Sequence, residues 1–282
     1  MNLYDYNTVK RILSHHGFTF SKALGQNFLI DPDVCPQMAQ SLNADDKTGV
    51  IEVGPGIGVL TKELCKTAGK VVALELDKRL FPILDETLAG FDNLEVVNAD
   101  VMKVDLKSLI DEKFAGFNSI KVCANLPYYI TSPVIMTLLE SNLAIDEIVV
   151  MVQKEAGERL CAEVGTRLAG AVTVAVNYYA DSEILFEVGK DSFMPSPKVD
   201  SVVIKLILHK ERKFEVRDEK RFFTTVKCAF SQRRKTALNS ISNTMGVSKD
   251  KVSTAFDTLG IDTNIRAEKL KMEDFIKISE LI

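Results

Sequence analysis

Short apolar runs recur along most of this chain, and between them apolar residues fall at the three-and-four spacing of an amphipathic helix. The runs Thr48–Val53, Val71–Leu76, Leu94–Asn98, Ile120–Asn125, Glu147–Val152, Glu183–Val188 and Ser201–Leu208 predict seven strands. Helical spacing predicts helices over Asp5–His15, from Asp31-Pro32 to Leu42, and over Val59–Thr67, Lys78–Leu88, Thr131–Glu140, Lys154–Glu163 and Ala169–Tyr179. Strands alternating with helices imply an α/β fold with a doubly wound, mostly parallel, Rossmann-like sheet. The last two strands have no helix between them, which predicts an antiparallel hairpin at one edge. After His209 comes a dense charge run, Lys210–Arg221, and then helical periodicity without strands. The chain therefore divides into a domain over 1–209 and a small C-terminal helical domain over 210–282.

Composition sharpens this picture. The 282 residues are 46% hydrophobic, enough for one large core and a small one. No apolar run reaches the roughly 18 residues of a membrane span, and the N-terminus lacks a continuous apolar leader, so a cytoplasmic protein is expected. The five cysteines are odd in number and not closely spaced, so no disulfide framework or zinc site is expected, and several sit in apolar runs as small core residues. His15, His16 and His209 lack metal-ligand spacing, and no metal is expected. The net charge of −4 is unevenly spread: residues 205–282 hold 17 basic and 11 acidic side chains, whereas the preceding 204 hold 18 and 28. A basic tail can meet a polyanion even when the whole chain is acidic.

Two loops carry the candidate chemistry. Gly54-Pro55-Gly56-Ile57-Gly58 follows a strand and opens a helix, so its backbone can approach a ligand closely. Glu75 ends the next strand, where a carboxylate can accept both hydroxyls of a ribose. Asp100 follows the third strand and could bond an adenine amino group. Both acids together suit an adenosine-bearing cofactor without a diphosphate, and S-adenosyl-L-methionine fits. Glu52 either orients the glycine loop, contacts a cofactor ammonium indirectly, or is a partly buried acid satisfied by backbone donors. Lys78 and Arg79 read as a solvated helix start.

The second loop is Asn125-Leu126-Pro127-Tyr128. An amide oxygen and a turn carbonyl can accept both N–H bonds of an exocyclic amine, while Tyr128 stacks on its ring. The alternative is an ordinary strand exit shaped by Asn and Pro.

Together these residues resemble the KsgA-type (RsmA) small-subunit rRNA adenine dimethyltransferases, relatives of the Erm enzymes, from about Lys22 to Asn239. The resemblance is carried by Leu24-Gly25-Gln26-Asn27-Phe28-Leu29, by Glu52 to Thr61, and by Asn125-Leu126-Pro127-Tyr128-Tyr129-Ile130-Thr131-Ser132-Pro133. Met151 to Glu155, Phe193 to Ser201 and Phe230-Ser231-Gln232-Arg233-Arg234-Lys235-Thr236 extend it. Ala99, and Leu168-Ala169-Gly170 in place of a Tyr-Gly pair, depart from the family pattern. The resemblance implies a methyltransferase sheet and cofactor contacts from Asn27, Leu29, Gly54, Gly56, Glu75, Asp100 and Asn125. It implies base handling by Asn125, Pro127, Tyr128 and Phe193, and RNA contact by Arg233, Arg234 and Lys235, a basic triplet expected on a helix. Phe222, Phe223 and Phe230 read as core.

The implied reaction is dimethylation of two adjacent adenosines in a hairpin loop near the 3′ end of 16S rRNA within the immature small ribosomal subunit, by a monomer. The rivals are an Erm-type 23S rRNA methyltransferase, a DNA adenine methyltransferase, a nicotinamide-dependent dehydrogenase, and an assembly factor whose binding matters more than its catalysis.

Overall fold

The computed structural model describes residues 1–21, 25–141 and 143–282, so Lys22, Ala23 and Leu24 of the N-terminal motif lie outside the described residues. The chain forms two compact units, one of Met1–Gly157 with Glu183–Leu208, the other of Glu158–Ser182 with His209–Ile282. The second unit thus takes in a stretch before residue 210 that sequence reading places in the first domain.

The strands in chain order are β1 (Phe28–Leu29), β2 (Thr48–Val53), β3 (Lys70–Glu75), β4 (Leu94–Asn98), β5 (Ser119–Asn125), β6 (Glu147–Gln153), β7 (Ala180–Val188), β8 (Phe193–Met194) and β9 (Ser201–Leu208). Seven of them make one sheet in the order β4-β3-β2-β5-β6-β9-β7. Strands β2 to β6 pair in parallel, and β9 runs antiparallel to β6. The mostly parallel, doubly wound sheet and its edge departure are as the hydrophobic pattern predicts. Strand β2 is buried throughout and β5 and β6 through their centres, because helices cover both faces of a parallel sheet. That is why these strands read as apolar runs rather than as alternations.

One helix and two very short strands escape the pattern. The helix Leu106–Lys113 is missed because it is short and half charged; only Asp105, whose side chain accepts from Ser108 N at its start, marks it. The two-residue strands β1 and β8 pair antiparallel, Phe28 with Met194 and Leu29 with Phe193. Two residues carry no periodicity to read.

On the sheet, Lys121, Lys205 and Glu147 form a buried charge cluster. Lys121 Nζ and Lys205 Nζ lie 3.2 and 3.3 Å from Glu147 Oε2. Both ammonium groups also donate to carbonyls at the end of the helix Val34–Ser41, those of Leu42 and Ser41. Cations there meet the negative end of the helix dipole.

In the second unit the helices Ala171–Tyr179, Glu219–Phe230, Ala237–Met245, Lys249–Leu259 and Met272–Leu281 enclose their own core. Phe222, Phe256 and Phe275 are fully buried, and the Tyr178 ring centroid lies 5.4 Å from that of Phe222 and 5.2 Å from that of Phe223. These aromatic contacts tie Glu158–Ser182 to the C-terminal helices. Phe222 and Phe223 are core, as expected, whereas Phe230 is half-buried and stacks on the buried Phe275 at 5.7 Å. Among the described residues no helix is long and apolar enough to cross a membrane.

Candidate active site

The carboxyl ends of β2, β3 and β5 lie side by side, at the point where strand order reverses and open α/β sheets bind ligands. A pocket opens there, lined by residues from all three strand ends and from the N-terminal segment. Gly54 and Gly56 line it with φ of 72° and 60°, left-handed values that a side chain would strain. A Cβ on Gly56 would also lie 3.2 Å from the Phe28 ring. The loop therefore presents bare backbone to the pocket, a cradle suited to a small-molecule ligand.

Glu52 is fully buried, and its Oε2 has no hydrogen-bond partner among the described residues. Burial pushes its carboxyl up to about 8; the Thr61 hydroxyl, near but outside hydrogen-bonding geometry, opposes the rise and the Glu75 charge adds to it. Satisfaction by backbone donors, one of the readings open from sequence, does not account for that oxygen. Glu75 is 6% exposed and accepts from Asp77 N at 2.7 Å. Burial raises its pKa, with backbone donors at Asp77, Gly56 and Leu76 opposing. Asp100 is half-buried, accepts from Met102 N at 3.0 Å and lies 3.5 Å from Lys103 Nζ.

Arg79 is not merely solvated. Its Nη2 lies 2.6 Å from Asp77 Oδ2, its Nη1 donates to Thr19 O at 3.3 Å, and its guanidinium sits 5.0 Å from the centre of the Phe18 ring. Asp77 also accepts from Gln26 Nε2 at 2.9 Å, and these partners, Arg79 first, hold its carboxyl down at about 2. The N-terminal segment is thus pinned beside the Glu75 strand end. Asn27 lines the pocket, its Nδ2 donating to Gly25 O at 3.2 Å.

The loop after β5 leaves two of its acceptors without a partner among the described residues. The Asn125 carboxamide is half-buried, lines the pocket and makes no hydrogen bond to another described residue. Pro127 O already accepts from Ile130 N at 3.1 Å and from Thr131 Oγ1 at 3.4 Å, whereas Leu126 O accepts from no described residue. The Tyr128 hydroxyl lies 2.8 Å from Ser201 Oγ. Phe193 is buried and lines the same pocket, held there by its pairing with Leu29.

The family described as ribosomal RNA adenine dimethylase matches residues 17–282. The chain belongs to that family. A 280-residue stretch is 45% identical to the ribosomal RNA small subunit methyltransferase A of Clostridioides difficile (strain 630), covering 99% of this chain and 96% of that one. Among solved structures, a dimethyladenosine transferase from Plasmodium falciparum is 26% identical with a TM-score of 0.72, covering 89% of this chain and 95% of that one. The 23S rRNA methyltransferase ErmE is also 26% identical, with a TM-score of 0.67, over 90% of this chain and 98% of that one.

In this dimethylase, then, Asn27, Leu29, Gly54, Gly56, Glu75, Asp100, Asn125, Pro127, Tyr128 and Phe193 meet around one pocket. The basic triplet lies elsewhere, in the second unit. Arg233, Arg234 and Lys235 are exposed on the turn between the helices Glu219–Phe230 and Ala237–Met245, not on a helix as the sequence reading has it. Thr236 ends the turn by capping the next helix, its side chain accepting from Asn239 N. Sequence reading includes Ser201 only as the end of the Phe193–Ser201 segment and the start of a strand, and gives it no role of its own, because strand position carries no signal of its contact with Tyr128. His15, His16 and Glu86 bring ligand atoms within 4.8 Å of one another despite the unpromising spacing, and His16 is already paired with Glu86 at 2.7 Å.

Proposed function

We propose that this pocket methylates the exocyclic amines of adenosines in small-subunit ribosomal RNA, with Asn125 and the Leu126 carbonyl as the acceptors that activate the amine. The observation that carries the reading is the pair of free acceptors beside an aromatic ring at the end of β5, next to a glycine cradle and a buried ribose-type carboxylate. Membership of the rRNA adenine dimethylase family makes the chain an rRNA adenine dimethyltransferase that uses S-adenosyl-L-methionine. The 45% identity to a small-subunit enzyme, against 26% to ErmE, favours 16S over 23S rRNA.

The residues present fit the cofactor. Glu75 offers a carboxylate for the ribose hydroxyls, Asp100 an acceptor for the adenine amine, and Gly54 and Gly56 a surface clear of side chains. Asn27 and Leu29 close the pocket from the N-terminal side. When bound, S-adenosyl-L-methionine supplies an electrophilic methyl group.

The amine of adenine is a poor nucleophile because its lone pair is delocalised into the ring. Asn125 Oδ1 and Leu126 O accept its two hydrogens and let the nitrogen pyramidalise. Pro127 O is less suited, since Ile130 N and Thr131 Oγ1 already occupy it. The same two oxygens face the positive charge that grows on nitrogen during attack, which is electrostatic stabilisation by groups already in place. Holding the amine in line contributes through positioning. No general base is needed, because the methylated nitrogen is acidic and releases its proton afterwards.

The target adenine must leave its stack, at a cost of a few kcal/mol that is smallest in a loop. Stacking on Tyr128 and Phe193 returns about 1–3 kcal/mol per base. The exposed Arg233, Arg234 and Lys235 supply phosphate contacts. The substrate is 16S rRNA within the immature small subunit, and the protein acts as a monomer without a metal.

The test is nucleoside mass spectrometry after incubation with labelled cofactor and immature small subunits. N6,N6-dimethyladenosine confined to 16S rRNA is expected; label confined to 23S rRNA or to DNA would overturn the reading.

A further inference from the structure

Tyr128 has a feature that stacking does not require. A phenyl ring would stack on a purine as well as a phenol does, yet this ring carries a hydroxyl 2.8 Å from Ser201 Oγ. Ser201 lies far along the chain, as the first residue of β9, where it pairs with Gln153 at the end of β6 and is fully buried. Insertion of β9 beside β6 therefore brings the start of one strand to the loop leaving another, β5.

The mounting of Tyr128 is otherwise weak. It opens a three-residue 3-10 turn, Tyr128–Ile130, that leads straight into the helix Thr131–Glu140, so no helical turn precedes the side chain to restrict χ1. Burial pushes the phenol pKa up, so the hydroxyl keeps its proton and the contact with Ser201 is a neutral hydrogen bond. Ser201 itself is held firmly. The residue before it, Asp200, accepts from Lys154 N at 3.0 Å through its carbonyl and from Lys190 N at 3.0 Å through Oδ1. At the other end of the same segment, Phe193 lines the pocket and pairs with Leu29.

We infer that Ser201 is a positioning residue for methyl transfer, its hydroxyl holding the Tyr128 ring at the angle that stacks the target purine beside Asn125. This rests on the reading of the Asn125–Tyr128 loop as the base-handling element. It extends that reading by making the start of β9 part of the machinery. Ser201 does not line the pocket, so it acts through Tyr128 and not on the base.

A double-mutant cycle on the full-length protein tests this, using Tyr128→Phe, Ser201→Ala and the double variant. Single-turnover methylation of undermethylated small subunits is read beside cofactor affinity. Each single variant is expected to slow transfer about fivefold to tenfold, the value of one hydrogen bond, with cofactor affinity unchanged. The double variant is expected to be no slower than the slower single, because both remove the same contact. A serine needed only for packing would instead give losses that multiply, which overturns the inference. So does a Tyr128→Phe rate within about twofold of wild type, and that variant reports even if Ser201→Ala does not fold. Tyr128→Ala separates the two claims. Full activity in Tyr128→Ala would sink the base-handling reading itself; an inactive Tyr128→Ala beside a normal Ser201→Ala would sink only the anchoring.

Discussion

Replacing Glu52 by Gln tests the electrostatics of the pocket floor, because the structure sets both the sign and the size of the effect. The residue is 1% exposed, with one carboxylate oxygen unpartnered among the described residues, and burial pushes its pKa from 4.5 up to about 8. In the unfolded chain it titrates at about 4.3. The folded protein therefore keeps a proton over a range where the unfolded chain has lost it. The contribution to stability is fully present below about pH 4.5 and is lost as pH rises, until the folded carboxyl ionises near 8. At about 1.4 kcal/mol per pH unit, the full rise corresponds to at most about 5 kcal/mol. Glu52→Gln keeps the shape of the protonated acid and cannot ionise. Its stability relative to wild type is expected to be near level at pH 5 and to climb by about 3 kcal/mol or more by pH 8. Denaturant unfolding of both proteins from pH 5 to 9, without cofactor, measures the difference, and other titrating groups cancel. A difference that stays flat across that range would refute the reasoning.

Asn125→Ala is expected to lower methyl transfer by about 100-fold or more while binding to small subunits survives, read as label incorporation and cosedimentation; transfer near the wild-type rate would remove Asn125 from the mechanism. Changing Arg233, Arg234 and Lys235 together to alanine is expected to weaken RNA binding and flatten its salt dependence by about 2 to 3 in log–log slope, with cofactor affinity intact. An unchanged slope across a salt series would exclude phosphate contact. Gly69→Ala places a Cβ 2.0 Å from the Asp46 carbonyl oxygen, a backbone atom that cannot swing aside, and is expected to cost about 3 kcal/mol in thermal unfolding; a melting point equal to wild type would contradict that packing. Glu147→Gln strips the carboxylate from Lys121 and Lys205, both buried, and is expected to cost about 3 kcal/mol or more. A neutral result would mean that the helix-end carbonyls alone satisfy the two cations.

Much of this protein is written locally. Strands β2 to β6 and most of the helices follow from runs and spacings within about ten residues, because a parallel sheet buried on both faces demands continuous apolar segments. The chemistry-bearing loops are equally local. Gly54 and Gly56, Glu75, Asp100 and the Asn125–Tyr128 turn each occupy a strand's carboxyl end, so predicting the strands predicts that these residues converge. Tertiary structure decided what depends on partners distant in sequence. The pairing of β1 with β8 sets Leu29 beside Phe193 through only two residues each. Glu158–Ser182 joins the C-terminal helices because Tyr178 faces Phe222 and Phe223, a choice no helical period encodes. The free Leu126 carbonyl, the unpartnered oxygen of Glu52 and the grip of Ser201 on Tyr128 are likewise products of packing. A side chain's type is fixed by the gene, but its solvation and its hydrogen-bond partners exist only once separate strands have closed around it.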